Sequence, residues 1–192
     1  MHQFPRNYGL IFKTFLYQVV MSLFGFMMYS GTSKIPFLMV IGQAVIVLFF
    51  YYIMSSQMFQ GGGKACEFDR SHQLSSSPLL GFLFGIIAFL PAILLSLWTV
   101  LAPPFLADGS AHTTYAPFLI NKTFLQGMYV GIVQSIYPTT SIGQSATVAI
   151  QNGAALNSQC LLYLLAAIPG FLSCGVSYLL GYLHFKKERV KK

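Results

Sequence analysis

The 63 residues between Lys122 and Lys186 contain no Lys, Arg, Asp or Glu. Three shorter gaps repeat the pattern: 20 residues between Lys13 and Lys34, 29 between Lys34 and Lys64, and 37 between Arg70 and Asp108. Ionised groups are expensive in hydrocarbon, and a helix rising 1.5 Å per residue needs about 20 mainly apolar residues to cross it. Each of the first three gaps accommodates one crossing helix, and the last is long enough for up to three. Composition closes the other options. Only 8% of residues are charged and 55% are hydrophobic, too little charge for a water-soluble surface and too much apolar content for disorder. The expected fold class is all-α, a polytopic integral membrane helical bundle.

Apolar density inside the gaps places four spans at about residues 10–29, 35–55, 79–101 and 160–183, within a single membrane domain 1–192. Pro36 and Pro78 suit first-turn positions, where a missing N–H costs nothing, and Ala102-Pro103-Pro104 stops the third span. The first span reads as a retained helix rather than a cleaved signal, because no A-x-A-like site follows it. Arg6, Lys13, Lys64, Arg70 and the five basic residues of the tail 184–192 fall on one side if the number of crossings is even; only Lys34 and Lys122 then fall on the other. Positive charge marks the cytoplasmic face. The expectation is a plasma membrane protein with both termini in the cytoplasm.

Residues 115–159 fit no simple span. Lys122 interrupts the first half, and the second half is charge-free yet rich in amides and hydroxyls. One crossing here would carry the basic tail outside. The reading that satisfies both facts is a polar, membrane-associated hairpin shielded by the four spans, embedded or re-entrant, with six full crossings as the alternative.

Catalysis or proton coupling at membrane depth needs ionisable or nucleophilic groups there. Glu67, Asp69, Asp108 and Glu188 all map to loops or the tail, and neither HExxH nor Gly-x-Ser-x-Gly occurs. The chain is therefore expected not to be an enzyme and to use no cofactor or metal. The cluster GGGKACEFDRSH, residues 61–72, lacks phosphate-loop spacing and reads as a solvated connector. Cys66, Cys160 and Cys174 share no C-x-x-C spacing and read as packing residues. Asn121-Lys122-Thr123 matches the N-glycosylation pattern near the outer face.

Two patterns remain. Small residues four apart recur at Gly81 and Gly85, at Gly127 and Gly131, at Ala166 and Gly170, and at Ser173, Ser177 and Gly181; such faces let helix backbones approach closely. The hairpin carries Thr123, Gln126, Gln134, Gln144, Gln151, Asn152 and Gln159, uncharged groups able to line a polar cavity or bond between helices. The expected function is a small transporter-like or solute-binding membrane component. It would act with a membrane partner or an ATPase module, since the chain has no nucleotide motif of its own. The expected surroundings are the lipid bilayer and a small polar solute, with no nucleic acid. The alternative is an accessory subunit that stabilises another complex.

Overall fold

The computed structural model describes residues 4–72, 77–106, 111–138 and 146–190. Among the described residues the chain is helical, with no strand and one isolated bridge between Phe105 and Ala111. Helix α1 covers Phe4–Thr32, α2 Pro36–His72, α3 Leu80–Leu101, α4 Tyr115–Ile120, α5 Val130–Ile136 and α6 Ala146–Val190. Stretches of α1, α2, α3 and α6 are long and apolar enough to cross a membrane. Pro36 opens α2 in the turn that follows α1, where Ile35 N–H bonds the Thr32 carbonyl at 2.9 Å.

Two of the sequence boundaries change. Helix α2 does not stop near residue 55 but continues for 37 residues to His72, so residues 61–72 form helix rather than a solvated connector. Helix α6 begins at Ala146, not near residue 160, and runs 45 residues. Residues 146–159 therefore belong to a long helix, and the hairpin is confined to the stretch from Tyr115 to Ile136.

The chain forms two compact units, each assembled from separated segments. The first contains Met1–Tyr17, Phe49–Leu90 and Ile168–Lys192. Its helices meet at glycines. A Cβ on Gly62 would collide with the Tyr178 carbonyl oxygen, one on Gly181 with that of Phe59, and one on Gly81 with the Tyr178 side chain. A Cβ on Gly85 would lie 2.8 Å from the Phe171 carbonyl, and one on Gly170 2.5 Å from the Phe89 ring. Backbone contact of this closeness admits no larger residue at Gly62, while its neighbours Gly61 and Gly63 face the Leu10 side chain and the Phe185 ring, so the run of glycines sits inside a helix that its propensity disfavours. Ser55 and Ser173 hydroxyls bond at 3.1 Å, and Ser177 is half-buried nearby in sequence. Buried Asp69 accepts a bond from the Tyr182 hydroxyl at 3.2 Å.

The second unit contains Gln18–Leu48 and Pro91–Ala167. Beside buried Met39, Phe118, Met128 and Tyr163 it encloses a set of polar side chains. Gln18, Gln43, Ser96, Asn121, Gln126 and Gln159 are no more than 1% exposed, while Phe37, Leu48, Leu97 and Trp98 point outward.

Candidate functional site: a broken hairpin held by buried amides

The second unit is organised around the segment Tyr115–Ile136, which enters and leaves at the same level of α6. Asn157 of α6 bonds both backbone groups of Phe105, at 3.1 and 2.9 Å, and the Phe105 ring packs on Tyr115 with centroids 5.2 Å apart. Phe118 then packs edge-on against Tyr163, 6.1 Å between centroids. Sixteen residues later, Gln134 bonds Gln159 at 3.0 Å. A continuous helix would carry Phe118 and Gln134 about 24 Å apart, yet their partners on α6 are one turn, about 6 Å, apart. The segment folds back.

The reversal occurs at Gln126, whose φ of −134° and ψ of 18° leave helical geometry. A π turn, Asn121–Leu125, precedes it and a 3-10 turn, Gly127–Tyr129, follows. The tip meets α1 at small residues: a Cβ on Gly127 would collide with the Ser22 carbonyl, and one on Gly25 would lie 2.8 Å from Met128 N. Ser22 and Gly25 lie ten and seven residues before the Thr32 end of α1, roughly 10–15 Å along its axis.

A broken helix frees backbone groups that must find partners when buried. Here three helices each lend an amide. Gln18 of α1 donates from Nε2 to the Leu125 carbonyl at 3.0 Å, and Gln159 of α6 donates to the Tyr137 carbonyl at 2.8 Å. Gln43 of α2 uses both ends: its Nε2 donates to the Gly25 carbonyl, and its Oε1 accepts from Gly131 N–H at 3.3 Å. The hairpin's own amides converge on α3, where Ser96 Oγ accepts from Asn121 Nδ2 at 2.8 Å and from Gln126 Nε2 at 3.2 Å.

This wiring leaves oxygens over. Gln18 Oε1, Asn121 Oδ1, Gln126 Oε1 and Gln159 Oε1 are buried without a hydrogen-bond partner, as are the hydroxyls of Ser22 and Tyr163. A buried acceptor with no partner costs about 1–3 kcal/mol. Lys122, beside Asn121, holds its ammonium 5.7 Å from the Phe118 ring centroid.

Of the residues expected from sequence to line a polar cavity, Gln126, Gln134 and Gln159 are buried in this network and Thr123 is half-buried at the π turn. Gln151 and Asn152 occupy the first turns of α6, and their side chains lie outside the described set; Gln144 is outside the described residues altogether. Gly127 and Gly131 sit against Ser22 and Gln43. Sequence reasoning passed over Gln18, Gln43 and Ser96. Its available signal was a single amide inside each of two otherwise apolar spans. Asn121 also changes role: at 1% exposure and bonded to Ser96, it offers no glycan acceptor on the folded protein.

Compared with family models, with curated proteins and with solved structures, the chain shows no match in any of the three.

Proposed function

We propose that the protein is a non-enzymatic, multi-pass membrane component that binds a small polar solute at the tip of the hairpin and works with a partner. The apolar exterior and amide interior of the second unit suit a bilayer rather than water as solvent. Four helices would cross, and the hairpin would be re-entrant, because it returns to the level of α6 at which it enters. With an even number of crossings both termini lie in the cytoplasm of the plasma membrane, the side favoured by nine of the eleven basic residues. Cysteines placed at exposed Thr113 and Tyr137 should then both label from outside, and a reporter after Lys192 should read cytoplasmic. Labels on opposite faces would remove the re-entrant topology.

The observation that carries the solute-binding reading is the set of unpartnered buried oxygens around the hairpin tip. Fully satisfied amides would serve only to hold helices together; those of Gln18, Asn121 and Gln126 retain unused capacity beside the break in the hairpin backbone. Cys160 is a native probe of the same buried network, adjacent in sequence to Gln159 and 1% exposed. In a chain retaining Cys160 alone, a small water-borne methanethiosulfonate should react from outside, while a chain retaining only buried Cys174 should not. Equal inertness of the two would leave the accessory reading. That second reading has its own support, since Gln43 spends both of its polar ends on the protein backbone.

A further inference from the structure

The polar groups at the tip are unequal in kind. Three unpartnered carbonyl oxygens, on Gln18, Asn121 and Gln126, belong to side chains fastened to one another through Leu125 and Ser96. The donors at hand are hydroxyls: Ser22, itself unpartnered and one turn from Gln18 on α1, and Ser96, which accepts from two amides and has one proton to give. Turning an amide round does not cure the imbalance. Gln18 is fixed by the Leu125 carbonyl, which demands an N–H. Reversing Asn121 or Gln126 on Ser96 satisfies one oxygen and exposes an unpartnered NH₂ in its place.

A fitting guest offers several N–H groups and needs one donor in return. Charge narrows the class further. The polar side chains around the tip are uncharged amides and hydroxyls, and Lys122 lies beside Asn121. Carbonyl lone pairs repel anions equally well. Building on the solute-binding reading, we infer that the tip binds a small neutral amide- or urea-type solute, its N–H groups on the Gln18, Asn121 and Gln126 carbonyls and its own oxygen on a serine hydroxyl. A site wired for hydrogen bonds rejects molecules that lack them, because its groups are then left buried and unpaired.

The test is equilibrium binding of radiolabelled acetamide and urea, at millimolar concentrations, to the full chain in lipid nanodiscs. Binding should saturate, and sodium, potassium and ammonium chlorides should not compete. Gln126→Met keeps the side chain's length and should weaken acetamide about tenfold or more. Gln126→Glu preserves shape while adding a negative charge. It should lose acetamide and gain methylammonium, a reversal that a misfolded variant would not show. Competition by the simple cations would overturn the neutral class and leave a solute site standing. No saturable binding of either probe, with Cys160 still reactive from outside, would overturn the inference alone; failure of both would remove the solute-binding reading as well.

Discussion

Gln43 and Gln18 do similar jobs from neighbouring helices, yet substituting them should have unequal consequences. Methionine matches glutamine in length and replaces its forked amide by an unbranched thioether, so Gln43→Met deletes two bonds without a large change in volume. The Gly25 carbonyl lies inside α1 and keeps a helical partner, so its loss is small. Gly131 N–H belongs to the first turn of α5, where a helix supplies no acceptor, and it becomes a buried orphan. The expected cost is about 2 kcal/mol, or roughly 30-fold in the folding constant. Gln18→Met also orphans a group, the Leu125 carbonyl, but it simultaneously removes the unpartnered Gln18 Oε1. Those terms have similar size and opposite sign, so the net cost in solute-free buffer should stay under about 0.5 kcal/mol. Reversible unfolding in bicelles by increasing SDS, followed through the single tryptophan, Trp98, reads both. Equal losses for the two variants would refute the assignment of donors and acceptors around the hairpin.

Gly127→Ala forces a Cβ onto the Ser22 carbonyl and should cost about 1–3 kcal/mol in the same assay, whereas Gly9→Ala meets nothing within 4 Å and should be neutral or stabilising by about 0.5–1 kcal/mol. Passage of the chain through a eukaryotic secretory route should leave Asn121 without glycan, seen as no mobility change on glycosidase treatment; a shift that disappears in Asn121→Gln would contradict its burial.

Much of the helical layout was legible because lipid penalises charge so heavily: the gaps between ionised residues mark the cores of α1, α2, α3 and α6. The C-terminal half of α2 was not. Gly61 to Gly63 carry a strong turn signal, and the Tyr178 backbone and Phe185 ring that require them lie more than a hundred residues away. Long-range packing overrode local propensity there. The polar start of α6 was misassigned for a related reason, since hydroxyls and amides read as loop until a helix of 45 residues is seen to contain them. At the site, polarity identified Gln126, Gln134 and Gln159, which share one polar stretch of sequence. Gln18 and Gln43 act as single residues in apolar surroundings, and periodicity carries no trace of the broken backbone that they complete.

The Tyr137 carbonyl depends on Gln159, which lies 22 residues further along the chain. A ribosome makes the hairpin first, so for several turns of subsequent synthesis its exit strand has no amide to receive it. During that interval α1, α2 and α3 can already supply Gln18, Gln43 and Ser96, but α6 does not yet exist. The hairpin therefore cannot complete its bonding until residue 159 has been made, and any nascent chain arrested earlier presents an incompletely bonded backbone to cellular quality control.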